Sequence, residues 1–295
     1  MLGWVTDGGL ETDLIFHKGL ELPGFAAFPL VEERSTAQLL LDYYAEYAAV
    51  AERAGAGLVL ETPTWRASPD HGALLGYDRD GLARVNAAAV DLVRAAGAGV
   101  GQVRISGVVG PRGDGYVAAG GRADEAAEYH YEQVAVLAGA GVDVVHAMTI
   151  NEPSEAIGVV RAARSVGVPV GISFTVETDG RLPDGTTLRA AVEQVDAAAA
   201  PDWYGVNCAH PLHVAGALDG AAWQSRVEVL RPNASTLTHA ELDAMEVLDE
   251  GDRSLLTSSA AELLQQLPGV TTLGGCCGTD ATHVASMWGV PAPGR

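Results

Sequence analysis

Three cysteines are the residues of this chain best suited to binding a metal ion. Cys276 and Cys277 are adjacent in the stretch LGGCCGTD, and Cys208 ends the stretch WYGVNC. Three thiolates leave one position of a four-coordinate zinc ion open, as in catalytic zinc sites, whereas structural sites are usually closed by four protein ligands. Buried cysteines that act as small hydrophobic residues are one alternative. A redox pair of the adjacent cysteines is another, but that bond would be strained and would leave Cys208 unexplained.

The chain that must position these thiols alternates short apolar runs with longer amphipathic segments, eight times over. Strand–helix alternation indicates a parallel sheet. Eight units in 295 residues favour a closed (β/α)8 barrel, the TIM barrel, over an open doubly wound sheet, which stays the alternative. No proline- or serine-rich linker divides the chain, so we predict one domain over residues 1–295. The predicted strands are WVTD from Trp4, LVLET from Leu58, RISGVVG from Arg104, DVVHAMT from Asp143, PVGISFTV from Pro169, WYGVNC from Trp203, RVEVLR from Arg226 and VTTLGG from Val270.

Two predicted helices have clear ends. One runs from Thr36, with Ser35 as its N-cap and Gly55 as its stop, and the other runs from Asp80. The segment 233–253 is the longest connection, and we expect an extended loop with a short polar helix at the top of the barrel. Glycines stand where a helix passes to the next strand at Gly55, Gly97, Gly139 and Gly167.

The cysteines fall at strand ends. Barrel enzymes build their sites from the C-terminal ends of the strands. The first strand ends in Asp7, Gly8 and Gly9, the sixth in Asn207 and Cys208, and the eighth in the cysteine pair. Consecutive side chains of a strand point to opposite faces, so the pair can reach one metal only where the chain leaves strand geometry, which the flanking glycines permit. Inward side chains of alternate strands share layers, which brings the sixth strand's thiol within reach.

Composition excludes several classes of partner. A formal net charge of −20 argues against nucleic acids and anionic membrane surfaces, because both require clustered Lys and Arg. No apolar stretch is long enough to cross a bilayer, and the N-terminus MLGWVTDGG lacks a signal-peptide pattern. We therefore predict a cytoplasmic protein with reduced thiols and a small-molecule partner. The sequence does not predict the oligomeric state.

Several motifs together resemble the zinc-dependent homocysteine S-methyltransferases. They are DGGLETDL at Asp7, ISFTVETDGRLPDGTTL from Ile172, GVNC ending at Cys208 and GGCCGT around the cysteine pair, and the resemblance runs from Asp7 to Val284. It implies a barrel whose zinc, held by the three cysteines, binds the thiol of homocysteine, and whose Asp7 contacts the amino acid. The implied product is methionine, and the methyl donor is a small onium compound. The chain has no room for cobalamin- or folate-binding domains, which favours S-methylmethionine or S-adenosylmethionine over betaine.

Two positions depart from the family pattern. The family commonly has a tyrosine in the loop after strand two that can approach the zinc, whereas TPTWRASPD places Trp65 there. The family's fourth strand tends to end in Glu-Thr, with the glutamate on the amine of homocysteine, whereas HAMTINEP offers Met148 and Thr149. An unpaired ammonium in a closed pocket is costly, so either another acid replaces the glutamate or the acceptor is not homocysteine. Glu61, at the end of strand two, is the candidate replacement, and Glu11 is a weaker one; Glu61 as an ordinary solvated loop acid is equally open.

Other side chains have less distinctive patterns. His210 and His213 follow Cys208 closely, but we assign them to the surface or to the surroundings of the metal rather than to its ligands, and His146 to the barrel core. Arg231 or Asn233 could bind a carboxylate. The aromatic candidates for a wall that contacts a cationic donor are Trp4, Phe28, Trp65 and Phe174, although ordinary packing explains each of them as well.

The leading interpretation is a zinc-dependent, cobalamin-independent methyltransferase acting on homocysteine. Two alternatives stay open: the same chemistry on a different thiol or selenol, and a zinc-thiolate sensor or binding protein without catalysis. The predicted zinc ligands are Cys208, Cys276 and Cys277, and the predicted substrate-binding residues are Asp7, Gly8, Gly9, Glu61, Trp65, Met148, Thr149 and Asn207.

Overall fold

Eight parallel strands form a closed barrel in the computed structural model, which describes residues 2–294. Neighbours in the barrel follow chain order, and the last strand pairs with the first through Trp4 with Thr272 and Val5 with Leu273. The closing pair confirms the predicted (β/α)8 barrel and excludes the open sheet. The strands are β1 (Trp4–Val5), β2 (Gly57–Glu61), β3 (Val103–Val109), β4 (Val144–Ile150), β5 (Val170–Phe174), β6 (Trp203–Asn207), β7 (Val227–Arg231) and β8 (Thr272–Leu273).

Helices cover the outside of the barrel and cap its top. Short non-α helical turns lie at Asp13–His17, Pro23–Phe25, Phe28–Val31 and Ala222–Arg226. Within residues 2–294 the α-helices are α1 (Leu10–Thr12), α2 (Arg34–Ala54), α3 (Pro69–Leu74), α4 (Arg79–Ala96), α5 (Ala123–Gly139), α6 (Pro153–Val166), α7 (Leu188–Ala199), α8 (Pro211–Gly216), α9 (His239–Asp243), α10 (Arg253–Gln266) and α11 (Ala281–Met287). No helix among these residues is both long enough and apolar enough to span a membrane.

Local sequence signals explain most element boundaries. All eight predicted strands are present, displaced by at most a few residues. Helix α4 begins after Asp78, whose side chain accepts a hydrogen bond from the backbone N–H of Gly81. Helix α2 ends at Gly55, whose φ of 63° is the left-handed conformation that glycine adopts without strain. The predicted N-cap of α2 is wrong: Ser35 lies inside the helix, which begins one residue earlier and has Glu33 at the N-cap.

The strands are buried because both of their faces are covered. Every residue of β2 and β5 is buried, as expected for parallel strands enclosed by helices outside and by one another's side chains inside. The two strands that flank the barrel's closing seam, β1 and β8, have only two residues each. After them the chain leaves strand geometry early, so the glycine-rich segments that follow can turn across the top of the barrel.

The predicted loop 233–253 lies at the barrel top and contains one short helix, α9. The first residue of α9, His239, is buried, and Nε2 of His239 lies 2.7 Å from the carbonyl oxygen of Cys208. The loop is therefore attached directly to the C-terminal end of β6, where the site forms.

Candidate metal centre and substrate pocket

The three cysteines converge at the C-terminal end of the barrel. Their Sγ atoms all lie within 4.8 Å of one another, although Cys208 is far from the other two in sequence. A tetrahedral zinc ion with Zn–S bonds of about 2.3 Å separates its sulfur ligands by roughly 3.8 Å, so a small contraction of this cluster would seat the ion. Thiolates are soft ligands suited to zinc. The donor set fits a zinc ion with one coordination position left for another ligand.

The backbone turns that bring the thiols together are unusual. Cys208 has a φ of 55°, a conformation that non-glycine residues rarely adopt. The segment after β8 is tied to the loop after β7, because Cys276 N donates to Pro232 O over 2.8 Å and Cys277 O accepts from Ala234 N over 3.1 Å. Gly278, with a φ of 75°, ends the turn. The expected departure from strand geometry thus occurs on both sides of the cluster.

Gly9 is required by close packing against the cysteine turn, and Gly8 by close packing against helix α2. A Cβ atom on Gly9 would lie 2.6 Å from the carbonyl oxygen of Cys276 and 2.9 Å from Cα of Cys277. One on Gly8 would lie 2.5 Å from the hydroxyl of Tyr47. The loop after β1 therefore approaches the metal cluster as backbone alone, in the way glycine permits.

The three thiols differ in the direction in which their surroundings shift the pKa. Hydrogen bonds from Cys208 and Cys277 lower the pKa of Cys276 well below its usual range, and the charge of Arg231 adds to that effect. Hydrogen bonding to Cys208 and to Cys276, together with burial, raises the pKa of Cys277, and hydrogen bonding to Cys276, together with burial, raises the pKa of Cys208. A bound cation would favour the thiolate of all three, because metal ligation and proton release are coupled.

A buried ion-pair network forms the wall beside the cysteines. Nη1 of Arg231 lies 2.6 Å from Asp7 Oδ1 and 3.8 Å from Glu61 Oε1. Two tyrosines of helix α2 contact these acidic residues. The Tyr43 hydroxyl donates to Asp7 Oδ2 over 3.4 Å, and the Tyr44 hydroxyl donates to the backbone carbonyl of Glu61 over 2.7 Å. Arg231 does bind a carboxylate, as the sequence suggested, but the carboxylate belongs to the protein.

Glu61 is buried and oriented by the barrel core. Its Oε1 lies 3.0 Å from Nδ1 of His146, whose Nε2 lies 2.6 Å from the Ser173 hydroxyl. Burial opposes ionisation of Glu61, but His146 and Arg231 outweigh burial and hold its pKa below the usual value. Oε2 of Glu61 is buried without a hydrogen-bond partner among residues 2–294. Ser106, its neighbour on β3, also helps to lower this pKa, but its hydroxyl makes no hydrogen bond of adequate geometry, so Oε2 can still accept from a ligand.

Met148 and Thr149 enter the pocket through an irregularity of β4. The register of β4 with β5 shifts between Ala147 and Ile150, and Thr149 has a φ of 60°. Asn207 fixes this bulge, because its Oδ1 accepts from Thr149 N over 2.7 Å and its Nδ2 donates to Thr149 Oγ1 over 2.8 Å. The same Nδ2 lies 3.8 Å from Cys276 Sγ. Asn207 therefore connects the bulge to the metal cluster.

The inner pocket contains every residue predicted to bind substrate. It has a volume of about 70 Å³ and also includes Glu11, Phe25, Tyr116 and Arg231. Three non-glycine residues in the described part of the chain have positive φ, namely Phe25, Thr149 and Cys208, and all three line this pocket. Strained backbone concentrated at one cavity supports a functional role for it. The residues that line the inner pocket include Asp7, Gly8, Gly9, Glu61, Trp65, Met148, Thr149, Asn207, Cys208, Cys276 and Cys277, as well as Glu11, Phe25, Tyr116 and Arg231.

Tyr116 is the main residue that the sequence did not reveal. Its hydroxyl lies 3.0 Å from Cys208 Sγ, and its ring stacks on His239 with centroids 3.8 Å apart. Burial and the nearby thiols raise its pKa. Either the hydroxyl or a protonated thiol can donate in this contact, and the hydroxyl is the donor once Cys208 is a thiolate. The family's tyrosine was expected in the loop after β2, whereas this hydroxyl comes from the loop after β3. Its place shortly after a strand end, in the glycine-rich stretch GPRGDGYVAAGG, was the available signal.

Three of the four aromatic candidates for a donor wall are wrong. Trp4 lies at the start of β1 with the guanidinium of Arg104 3.9 Å from its ring, away from the strand ends that form the site. Phe28 is fully buried against Tyr77, and Phe174 is fully buried with Tyr204. Trp65 alone of the four lines the pocket, where its Nε1 donates to the carbonyl of Met148 over 3.2 Å.

The remaining polar candidates lie around the inner pocket. His210 caps α8, with Nδ1 accepting from the backbone of Leu212, and neither it nor His213 lines the pocket. Asn233 lines a neighbouring cavity. Glu11 lines the inner pocket, and burial, reinforced by the charges of Cys276 and Asp7, raises its pKa to about 7.

Comparison with known proteins identifies the family to which this chain belongs. Residues 4–288 match the family model described as homocysteine S-methyltransferase. Among solved structures, the chain is similar to the homocysteine methyltransferase MmuM from Escherichia coli. For the oxidized form the identity is 22% and the TM-score 0.76, with 97% of this chain and 94% of that chain covered. For the metallated form the identity is 22% and the TM-score 0.75, with 98% of this chain and 96% of that chain covered. At this identity the likeness shows a shared fold. A search of curated proteins found no match.

Proposed function

The chain belongs to the homocysteine S-methyltransferase family, and on that premise we propose that it uses zinc to move a methyl group from a small onium donor to homocysteine. The zinc ligands in this proposal are Cys208, Cys276 and Cys277, and the product is methionine. S-Methylmethionine and S-adenosylmethionine are the favoured donors, and the transfer needs no cobalamin. The cytoplasmic location and the single domain over residues 1–295 stay predictions from the sequence.

Zinc would supply one chemical step that the side chains cannot. A free thiol with a pKa near ~8.5 is mostly protonated at neutral pH, and coordination to the metal converts it to a thiolate nucleophile. The other tasks fall to the protein. Asn207 and Tyr116 place donors beside the cysteine sulfurs, which fixes the orientation of the cluster. Gly9 lets the loop after β1 pack directly on the cysteine turn, because a Cβ atom there would collide with Cys276 O and Cys277 Cα.

The charges of the inner pocket support an acceptor with an α-amine. Arg231 pairs with Asp7 and approaches Oε1 of Glu61, and His146 contacts the same Oε1. These contacts leave Oε2 of Glu61 unpartnered among residues 2–294, and an ammonium group could donate a charged hydrogen bond to it. Glu61 would thus replace the glutamate that the family places at the position of Met148.

The transfer itself requires alignment more than proton transfer. The acceptor thiolate attacks the methyl carbon, a new S–C bond forms, and the bond from that carbon to the onium centre breaks with its electron pair left on the donor. The donor leaves as a neutral thioether or amine. Positioning of the two reactants would supply most of the acceleration.

The observation that carries this proposal is the convergence of three thiols beside a buried, pre-oriented carboxylate with a free oxygen. A donor-by-acceptor activity matrix on zinc-loaded protein, analysed by mass spectrometry, tests it. The donors are S-methylmethionine, S-adenosylmethionine and glycine betaine; the acceptors are homocysteine, selenohomocysteine and 4-mercaptobutyrate, which lacks the α-amine. We expect methionine from homocysteine with at least one donor. Methylation of another thiol or selenol only would give the acceptor role to that compound, and no methylated product from any pair would leave a zinc-binding protein without catalysis.

A further inference from the structure

The loop after β3 carries Tyr116 to the metal cluster, although its sequence alone favours no single conformation. Residues 110–121 read GPRGDGYVAAGG, a glycine-rich stretch. Asp114 and Val117, on either side of the tyrosine, are both exposed. Glycine loses much conformational freedom when it is ordered, so specific contacts must select the arrangement that places the hydroxyl 3.0 Å from Cys208 Sγ.

One side chain after the end of β4 contacts this loop on both sides of the tyrosine. Asn151 is buried, and its Nδ2 donates to Asp114 O over 3.1 Å, to Gly115 O over 3.4 Å and to Val117 O over 3.3 Å. The two N–H groups of one amide are thus shared among three carbonyl oxygens that bracket Tyr116. The other amide atom, Oδ1, is buried without a hydrogen-bond partner among residues 2–294, so the contacts with the loop set the orientation of the amide.

The start of α6 holds the two ends of the same loop. Glu155 Oε1 accepts from Arg112 N over 2.8 Å and from Arg112 Nε over 3.2 Å. Glu152 Oε2 accepts from Gly120 N over 3.1 Å, and both acidic side chains are buried. These bonds fix where the loop leaves and rejoins the barrel. The segment between them, which carries the tyrosine, is held from inside by Asn151.

The same strand end reaches the other side of the metal cluster. Thr149, two residues before Asn151, is hydrogen-bonded to Asn207 through its backbone N–H and its hydroxyl. Nδ2 of Asn207 lies 3.8 Å from Cys276 Sγ. The irregular end of β4 therefore connects to one cysteine through Asn207, while Asn151 faces the loop that supplies Tyr116 to another.

We propose that Asn151 is a positioning residue of the metal centre, which fixes the backbone of the loop so that the Tyr116 hydroxyl donates to the thiolate of Cys208 when the metal is bound. This inference rests on the zinc site of the proposed function and adds a residue that contacts neither metal nor substrate. Stacking on His239 supports the ring of Tyr116, and Asn151 supports its backbone. Hydrogen bonds to ligand atoms orient the ligands and tune the metal, and their loss typically lowers metal affinity about 10- to 100-fold.

Cobalt-substituted protein reports on the cysteine sulfurs without turnover. The absorption band in which a thiolate transfers charge to cobalt moves to lower energy when a hydrogen bond to the sulfur is lost, because the energy of the sulfur lone pair rises. The variants are Tyr116→Phe, Asn151→Ala and the double variant. Asn86→Ala is the matched control, since Asn86 and Asn151 are both 1% exposed and Nδ2 of Asn86 also donates to backbone carbonyls, those of Ala67 and Leu82. None of these three residues lines the inner pocket.

We expect Asn151→Ala to move the cobalt band in the same direction as Tyr116→Phe and to lower zinc affinity by about tenfold or more, measured by competition with a chelator. In the Tyr116→Phe background the asparagine substitution should change neither quantity further, because the bond through which it acts is already absent. Asn86→Ala should leave both quantities at their wild-type values, although thermal unfolding should show a similar loss of stability. Asn151→Ser, which leaves room for a water molecule in place of the amide, replaces the alanine variant if that protein does not fold.

The outcomes separate this inference from the proposed function. If the Asn151 variants keep the wild-type band and zinc affinity, or lose the same affinity with and without the Tyr116 hydroxyl, Asn151 does not act through the tyrosine and only this inference fails. A wild-type band in Tyr116→Phe would overturn it whether or not the Asn151 variants fold. If wild type binds neither cobalt nor zinc, the proposed zinc-dependent function fails as well.

Discussion

Nδ1 of His146 lies 3.0 Å from Oε1 of Glu61, while the second carboxylate oxygen of Glu61 is buried without a hydrogen-bond partner among residues 2–294. Ser173 fixes the other side of the imidazole at 2.6 Å. Residues from β2, β4 and β5 therefore set the orientation of one carboxylate. A group held by three strands of the barrel is pre-organised for a ligand, because little conformational freedom is lost when the ligand binds.

Glu61→Gln tests whether this carboxylate recognises an amine. Losing one partner of a buried charge pair costs roughly 3–5 kcal/mol, so we expect kcat/KM for homocysteine to fall at least about a hundredfold. For 4-mercaptobutyrate, which presents no ammonium, the variant should resemble wild type. Steady-state kinetics with both thiols make the comparison. Equal activity of wild type and variant toward homocysteine would reject the role of Glu61 and favour a different natural acceptor.

Met148→Glu provides the matched rescue. Met148 is buried in the inner pocket at the position where the family has a glutamate. Introduced into the Glu61→Gln protein, this glutamate should restore part of the lost kcat/KM for homocysteine, since a carboxylate again faces the amine. The double variant should show no matching gain with 4-mercaptobutyrate. A gain of the same size with both thiols would mean that the substitution acts on packing rather than on charge.

The cysteines are tested by metal content. We expect about one zinc per chain in the wild type, because three convergent thiolates complete a site with one open position. Replacing Cys208, Cys276 or Cys277 singly with alanine should remove most of the zinc and the activity, as measured by elemental analysis after dialysis and by methionine formation. Full zinc retention in all three variants would refute the assignment.

Gly9→Ala tests the close approach of the loop after β1 to the cysteine turn. A methyl group there would meet the carbonyl of Cys276 and Cα of Cys277 at less than 3 Å, so one of the two segments must move. We expect zinc affinity to fall by about tenfold or more, as for other changes that displace metal ligands. Gly3→Ala is the control, because no atom lies within 4 Å of its added carbon. Competition with a zinc chelator measures both variants, and identical affinities would show that the loop tolerates a side chain.

Asp280 gives a prediction of pH-dependent stability. Its carboxylate caps α11, accepting from Thr282 N over 2.8 Å and from His283 N over 3.0 Å. Burial opposes ionisation, but the bonds from His283 and Thr282 outweigh burial and hold its pKa below the ordinary 3.8. A lowered pKa stabilises the fold above pH 3.8, and this contribution is lost as the pH falls below that value.

Asp280→Ala should therefore lower the free energy of unfolding by about 1–2 kcal/mol at pH 7. Asp280→Asn keeps a capping oxygen but cannot ionise. The difference in free energy of unfolding between wild type and this variant should therefore shrink as the pH falls. The corresponding difference between the asparagine and alanine variants should stay constant. Urea unfolding between pH 7 and pH 3 measures both differences. A wild-type advantage over Asp280→Asn that does not change with pH would show that the charge contributes nothing.

The barrel and the convergence of the cysteines were predictable because they depend on short-range patterns. Apolar runs of strand length, glycines at helix ends and the position of Cys208, Cys276 and Cys277 after strands are all visible in the sequence. The geometry of a closed barrel then brings strand ends together without further information. The same reasoning placed Glu61 and Thr149 at the strand-end face.

Contacts made between loops were not predictable in this way. Tyr116 reaches Cys208 because the loop after β3 folds over the barrel, and its partner His239 comes from the loop after β7. Neither spacing nor periodicity encodes which loops meet. The error at Phe174 has the opposite cause, because an aromatic residue at a strand end can point into the helical layer, where Phe174 is fully buried beside Tyr204.

X-ray absorption at the zinc edge tests the central claim most directly. In this account Cys208, Cys276 and Cys277 hold the metal, and the acceptor thiol takes the open position. The zinc-loaded protein should therefore show three sulfur ligands to zinc before homocysteine is added and four afterwards. A spectrum with no added sulfur in the presence of a competent acceptor would contradict metal activation of the thiol, and with it the proposed route of methyl transfer in this barrel.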